Sequence, residues 1–492
     1  MKLSQIIMLG GIFIISNQKF ITDILNINYD QIESIESIKN SDHSLNFFVK
    51  LKPVSNLRCP YCDSCHIVGN GFTKRKLIHS TLVNRKCIIF YKRRRYLCKD
   101  CSSSFSEKNP FINTGESVTL ETKINVLKDL KFVANTYSAV AARYNISVTK
   151  VIQIFDKHVD IKRKPLPEVL SIDEHFFPQS NYDSLYMCIF MDFITGEIVD
   201  VLPDRKKAYI ANYLSAIRAQ TLNKYTNKSE LHNVKYVSID LYDNYRDIAH
   251  IYFPKAIVCA DPFHVLKHLT EGFNQVRLRC RRETQDEDIQ YLLTKFKNIF
   301  KSGFDLDNKA KYNKRFKRYL NYRDILTILF DRFPDLKTAY ELKEKYIFFN
   351  RNTSLEEAEK GLADLILEFG DSGIEEYHEF YNLLINWNKE IINSFTIINS
   401  RRINNSFIES RNNQIERLIY NAYGYTNSKR ARNRIMYCLN KKDSYNIKKS
   451  VICDWTVQNR LFYHNITLYF KAHPHNYLKL STQFVKAYPQ IV

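Results

Sequence analysis

The sequence predicts a multidomain α/β protein. Three observations carry that expectation: two CxxC pairs near the amino terminus, a change from helical to strand periodicity near residue 168, and charge-dense helical periodicity from residue 265 onward. At 492 residues the chain exceeds the size of a single core, and about three domains are expected. With 45% hydrophobic and 13% aromatic residues it can bury them, which excludes a disordered or fibrous chain. Twelve glycines and twelve prolines exclude collagen-like and linker-like compositions. Lys and Arg number 73 against 52 Asp and Glu, leaving a net charge of +21. That surplus favours a polyanionic partner, nucleic acid first and an anionic membrane second.

The membrane reading is weak. The apolar run Ile6 to Ile15 falls short of the ~20 helical residues a bilayer requires and lacks an A-x-A cleavage signal, so it reads as a strand or helix. No later stretch approaches membrane length. Residues 20–58 alternate weakly about Asn40-Ser41-Asp42-His43, the pattern of a hairpin.

Of 11 cysteines, six lie between Cys59 and Cys101, and an odd count with two CxxC pairs points to a reducing compartment and a metal. Cys59 and Cys62 (CPYC) are separated by 35 residues from Cys98 and Cys101 (CKDC). Zn²⁺ takes four soft ligands tetrahedrally, and each CxxC turn places two sulfurs on one side of the ion. The intervening run has strand character, so a zinc ribbon is expected, with Cys65, His66 and Cys87 as rivals for one ligand position. Lys92, Arg93, Arg94 and Arg95 give the ribbon a basic edge suited to phosphate.

Residues 118–160 turn helical, with VTLETKINVLKDLKFVANTY read as one run before a break. Tyr137 to Tyr144, a turn at Asn145-Ile146, and a second helix from Ser147 have the spacing of a helix-turn-helix. Asn145 tolerates a left-handed turn and Ser147 can cap the next helix. Val140, Ala141, Ile146, Val151 and Ile154 form the expected buried face, which leaves Thr149, Lys150, Gln153 and Lys157 for DNA. A basic, proline-containing joint at Lys162 to Pro167 ends this region.

Beyond the joint, VLSIDEHFF, SLYMCIFMDF and EIVDVLP read as strands, with a turn at Thr195-Gly196. A helix, VKYVSID and AIVCADPF follow. The order β-β-β-α-β-α-β is that of a ribonuclease-H-like fold. Asp173 sits in the first strand, Asp240 ends the fourth, and Glu409 lies on a later helix. Two such acids on adjacent strands suit phosphodiester chemistry, in which clustered hard oxygens hold two Mg²⁺ (or Mn²⁺) ions ~3.5–4 Å apart. Asp261 competes with Asp240 for the second ligand role, and His264 anchors a strand, orients substrate or packs.

Together these residues resemble the DDE transposases of the bacterial insertion-sequence family written IS-L-three. The resemblance covers roughly residues 20–440. It rests on CPYC…RRRYLCKDCSSSFSE, VLSIDEHFF, LPDR, IDLYDNYRDI, FPKAIVCADPFHVLK, NNSFIESRNN and NAYGYTN. It implies a ribonuclease-H-like catalytic core interrupted by an all-helical insertion, with Asp173, Asp240 and Glu409 as the metal-binding triad. Asp261 and His264 match the family's D-x-x-H signature. Trp387 occupies the place of an aromatic used near distorted DNA ends, although here it reads as core. The implied segments are 20–115 (hairpin and ribbon), 116–162 (helix-turn-helix), 168–275 and 396–440 (core), 276–395 (insertion) and 441–492 (a tail of no assigned role). The chain departs from the family after Asn413, where Glu416, Tyr420 and Asn421 replace basic residues and Arg417 is retained. Glu416, on nearly the same helical face as Glu409, is a decoy.

The expected function is binding of terminal inverted repeats in double-stranded DNA, 3′-end cleavage and strand transfer. A homo-oligomer holds the two ends, in the cytoplasm at the bacterial nucleoid, without a membrane partner. The alternatives are a decayed or domesticated DNA-binding regulator and a nuclease of the same fold without strand transfer.

Overall fold

The computed structural model describes residues 21–22, 25, 27–79, 86–113, 115–178 and 184–447. The apolar run Ile6 to Ile15 and almost all of the tail lie outside the described residues. The chain divides into two compact units, one ending at Asp160 and including Tyr445 onward, the other spanning Ile161–Ser444.

In the first unit β1 (Ile32–Lys39) and β2 (Leu45–Leu51) form the antiparallel hairpin expected about Asn40 to His43. β3 (Ile67–Ile78) and β4 (Cys87–Cys98) form a longer antiparallel pair, and β5 (Ser104–Ser106) adds to β4. The sheet order is β1-β2-β4-β3, so β3 is an edge strand. Alternation drives one face inward: Phe47, Val49, Leu77, Ile89 and Tyr91 are buried together with Phe111. The Tyr91 hydroxyl donates to Glu107 Oε1 at 2.8 Å, so the buried phenol is satisfied.

Helices α1 (Leu120–Asp129), α2 (Tyr137–Tyr144) and α3 (Val148–His158) follow, each capped by a hydroxyl, from Thr119, Thr136 and Ser147 respectively. The first is shorter than its sequence periodicity suggests. Asn135 Nδ2 donates to the Asp129 carbonyl at 2.9 Å, satisfying a helix end that would otherwise continue. Asn145 takes φ 52°, ψ 44°, and its N–H caps α2. Val140, Ala141, Val151 and Ile154 are buried, whereas Ile146 is half-buried. A β-branched residue at Asn145 meets the left-handed penalty of about 1–2 kcal/mol. Asn145→Val is therefore expected to lower urea-unfolding stability by that amount and Asn145→Gly to leave it within about 0.5 kcal/mol.

In the second unit β6 (Val169–Phe176), β7 (Tyr186–Asp192), β8 (Ile198–Leu202), β9 (Tyr236–Ile239) and β10 (Ile257–Ala260) build one sheet in the order β10-β9-β6-β7-β8. β10, β9 and β6 run parallel, and β7 is antiparallel to both β6 and β8. The strand interiors are nearly all buried, as apolar runs covered on both faces must be. Helix α4 (Lys207–Thr221) crosses from β8 toward β9, and α5 (Asp243–Tyr252) from β9 to β10.

From Asp261 the chain leaves the sheet through α6 (Pro262–Glu283), α7 (Glu287–Lys295), α8 (Tyr322–Arg332), α9 (Pro334–Asn352), α10 (Leu355–Asp371), α11 (His378–Asn386) and α12 (Asn388–Asn393). The sequence pattern is wholly helical here, but a two-stranded hairpin, Lys311–Asn313 with Arg318–Leu320, interrupts it. Three-residue strands carry too short a period-2 signal to be read. Trp387 is buried, with the Arg246 guanidinium 4.2 Å over its ring.

The chain returns at α12, where Asn393 Nδ2 donates to the Val258 carbonyl of β10 at 2.9 Å. Arg402 donates to the Ser394 carbonyl at 2.9 Å and Arg401 to the Phe193 carbonyl at 2.9 Å. These bonds deliver α13 (Ser406–Asn421) to the sheet, followed by α14 (Ser428–Leu439). Among the described residues no helix is long and apolar enough to cross a membrane.

Candidate functional site

The candidate site forms where parallel strands end. Ser171 pairs with Ser238, and Ile239 with Ala260, so Asp173, inside β6, stands level with Asp240 and Asp261, which directly follow β9 and β10. They are 6%, 8% and 1% exposed. Three acids this deep are costly unless partnered.

Their donors come from the returning helix. The Asn405 backbone N–H donates to Asp261 Oδ1 at 3.0 Å, and Asn405 Nδ2 donates to Asp240 Oδ1 at 3.1 Å. One turn and then two turns along lie Glu409 and Asn412, on the same helical face at spacings of four and seven. Asn412 Nδ2 donates to Asp173 Oδ2 at 2.8 Å, while Asp173 Oδ1 accepts the Glu174 N–H at 2.7 Å. The remaining Asp261 oxygen, Oδ2, is buried and has no hydrogen-bond partner among the described residues.

Asp240, Asp261 and His264 each bring a ligand atom within 4.8 Å of the others, a grouping that could hold a metal ion. Hard carboxylate oxygens, one of them buried without a donor, fit a divalent cation of the Mg²⁺ type. His264 Nε2 lies 3.5 Å from Asp240 Oδ2. Burial pushes the imidazole down to about 4, so at neutral pH this is a contact of a neutral ring and not an ion pair.

Asp173 does not fall within that three-residue grouping but borders it. Burial, the neighbouring Asp173 charge and a shared hydrogen bond push the Asp240 carboxyl well above the aspartate range. Burial raises Asp173 as well. Glu409 is half-buried in the first turn of α13, outside the grouping, and its carboxyl is raised by burial and then by the charge of Asp261. Glu416 is exposed, and its charge is felt at His175.

The raised acids have a thermodynamic consequence. In the unfolded chain aspartates ionise near 3.8, while in the metal-free fold this pair keeps a proton to higher pH. The folded state therefore binds more protons above pH ~4, and metal-free stability falls as pH rises through that range. Asp240→Asn removes the repulsion, and is expected to raise metal-free stability at pH 8 by on the order of 1–3 kcal/mol. At pH 4 the gain should vanish. Thermal unfolding in a chelator at both pH values checks this.

Sequence reasoning missed the ring around Glu174. Arg205, from LPDR, pairs with Glu174, and its guanidinium lies 4.1 Å over the Tyr186 ring. It also missed the roles of Asn405 and Asn412, for which the (i, i+7) spacing about Glu409 was the available signal.

In the first unit the Sγ atoms of Cys59, Cys62, Cys98 and Cys101 all lie within 4.8 Å of one another. Cys59 and Cys101 are 3.6 Å apart, as are Cys62 and Cys98, and all four are free thiols. A tetrahedron with ~2.3 Å metal–sulfur bonds has edges of ~3.8 Å, so the cluster fits a structural Zn²⁺. The rivals stand apart: Cys87 is buried in β4, Cys65 is exposed outside the cluster, and His66 Nδ1 lies 3.0 Å from Asp100 Oδ1.

The proposed DNA contacts divide by exposure. Thr149, Gln153 and Lys157 are exposed on α3 and Lys150 is half-buried, with Lys157 Nζ 2.8 Å from Glu116 Oε1. Arg95 is exposed. Arg93 Nε donates to the Glu107 carbonyl at 2.6 Å, and Arg94 pairs with Glu33 and donates to the Leu51 carbonyl at 2.9 Å. Arg417 is exposed on α13.

A family model for DDE-type transposases of the ISL3 group, described as transposase, matches residues 170–435. Two curated relatives, each the transposase for insertion sequence element IS1557 of Mycobacterium tuberculosis, from strains CDC 1551 / Oshkosh and ATCC 25618 / H37Rv, are 27% identical over 158 residues. The match covers 32% of this chain and 31% of each relative, so the shared stretch spans about a third of their length.

Proposed function

The chain belongs to the ISL3 family of DDE transposases, and from that premise we propose that it cleaves the 3′ ends of its own insertion sequence and joins them to target DNA. The observation that carries this reading is the level placement of Asp173, Asp240 and Asp261 on adjacent parallel strands, with Glu409 half-buried in the first turn of the returning helix and within reach of the Asp261 charge. A five-stranded sheet in which β7 alone is reversed supports a ribonuclease-H-like core, and the segment between α6 and α12 is its insertion.

In this reading Asp173, Asp240 and Glu409 are the metal-binding triad, with Asp261 and His264 accessory to it. When bound, Mg²⁺ or Mn²⁺ supplies Lewis acidity at the scissile phosphate and acidifies the attacking water or 3′-hydroxyl. The chain's residues do the positioning. Asn405 fixes one oxygen each of Asp240 and Asp261, leaving their other oxygens for the cation, and Asn412 and the Glu174 N–H orient the two oxygens of Asp173. Neutral His264 adds no charge to the acid cluster.

The first unit supplies recognition. Zn²⁺ on Cys59, Cys62, Cys98 and Cys101 ties the open ends of β3 and β4, and α3 presents Thr149, Lys150, Gln153 and Lys157 to a groove. Arg93, Arg95 and Arg417 suit phosphate, whereas Arg94 is held by Glu33. Two element ends must be held at once, so the acting form is a homo-oligomer. The net charge makes binding fall steeply with salt.

Two steps test the reading. The DNA flanking the gene should carry imperfect inverted repeats, and a duplex of that sequence should be bound in preference to scrambled DNA by at least about tenfold. Equal binding of both duplexes would contradict it.

A further inference from the structure

The outer face of the first unit's sheet has a composition that duplex recognition does not use. Cross-strand register places Phe48 beside Phe90, Lys76 beside Phe90, Lys74 beside Lys92 and Phe72 beside Arg94. Directly paired residues share a face, so these side chains all project from the side opposite the buried Leu77, Ile89 and Tyr91. Phe48 and Phe90 stack with ring centroids 5.0 Å apart and planes 11° from parallel. Around Phe72 stand three cations: Lys92 Nζ at 4.7 Å, the Arg94 guanidinium at 5.3 Å and Lys50 Nζ at 5.4 Å from the ring centroid. Phe72 is nevertheless 42% exposed and Phe48 38% exposed. Lys74, Lys76 and Lys92 are exposed too. The acids on this side, Glu33 and Glu36, lie on β1, with Glu33 paired to Lys50 and Arg94.

We propose that this face is a stacking platform for unpaired bases of single-stranded or melted DNA. Phenyl rings offer no hydrogen bond to a phosphate or to a base edge in a duplex groove, where their one use is contact with a thymine methyl. Against an unstacked base they offer a flat apolar surface, and the interleaved lysines follow the strand's phosphates. The surplus of cations over acids selects a polyanion, and the exposed rings select one whose bases are free. β3 is an edge strand with Gly71 at φ 73° in an irregular stretch between Gly69 and Phe72. The partner class rests on the DNA reading above, whereas the platform assignment rests on the face itself.

The test uses the full chain and two labelled probes, oligothymidylate of about twenty nucleotides and a scrambled duplex of equal length. Fluorescence anisotropy reads both. Phe72→Thr with Phe48→Thr is expected to weaken oligothymidylate binding about tenfold or more, and to change duplex binding less than about twofold. Phe48→Tyr keeps a stacking ring and should retain oligothymidylate affinity, a result that a fold defect would not give. Lys74→Ala with Lys92→Ala should weaken oligothymidylate binding and reduce its salt slope. The assignment is overturned if the wild-type chain does not bind oligothymidylate, if the double phenylalanine change leaves that binding intact, or if both probes weaken in parallel. Terminal-repeat cleavage by the wild-type chain alongside any of these results would leave the transposase reading standing and remove only the platform.

Discussion

Asp173→Asn is expected to abolish divalent-metal-dependent cleavage of terminal-repeat DNA while leaving binding of that DNA within about twofold of wild type. The expected fall in cleavage is on the order of 10³-fold or more, equivalent to ~4 kcal/mol of transition-state stabilisation. Asparagine matches aspartate in shape and can still meet Asn412, so the helix stays seated. What it removes is a hard anionic oxygen, which a divalent cation requires and an amide supplies poorly. Binding should survive because the proposed recognition groups, Thr149, Lys150, Gln153 and Lys157, belong to the other compact unit. Gel-shift and cleavage measured on one labelled duplex check both halves. Undiminished cleavage would remove Asp173 from the chemistry.

The second large effect concerns the cysteine cluster. Cys98→Ser should cost about one Zn²⁺ per chain by metal analysis, and with it terminal-repeat binding. Apparent binding energies of ~10–16 kcal/mol for structural Zn²⁺ in small metal domains make the ion a large part of such a fold. Here the sheet has a core of its own in Leu77, Ile89 and Tyr91, so loss of metal should unfold the cysteine end of β3 and β4 and leave the rest of the sheet. Cys65→Ser is the control: that thiol is outside the cluster, and zinc content should not change. Unchanged zinc in Cys98→Ser would remove the ribbon assignment.

Much of this was legible in the residues. The CxxC spacing singled out the four cysteines that converge, because two such turns and an intervening strand pair leave little geometric choice. The contest with Cys65, His66 and Cys87 could not be settled from spacing, since only the register of β3 on β4 buries Cys87 and turns His66 toward Asp100. The five sheet strands were readable because each is a short apolar run. Their pairing brought out something spacing does not show, namely that Asp261 stands level with Asp173 and Asp240 and is the deepest of the three.

Glu409 and Glu416 are seven residues apart and share a helical face, so periodicity alone does not rank them. The seating of α13 separates them: the Asp261 charge acts on Glu409, whereas the Glu416 charge acts on His175. The basic run before Cys98 shows the opposite limit. Charge in a sequence reads as surface, yet Arg94 is turned to Glu33 and the Leu51 carbonyl. Cations on the facing strand, Lys74 and Lys76, stay exposed beside Lys92 and were not singled out.

The central claim is that these carboxylates cut DNA at the element's ends, and release of a 3′-hydroxyl from an end-labelled terminal-repeat duplex tests it most directly. Wild-type protein should release it only with Mg²⁺ or Mn²⁺, Glu409→Gln should release none, and Glu416→Gln should match wild type. Release without a divalent metal, or release by Glu409→Gln at the wild-type rate, would contradict the account.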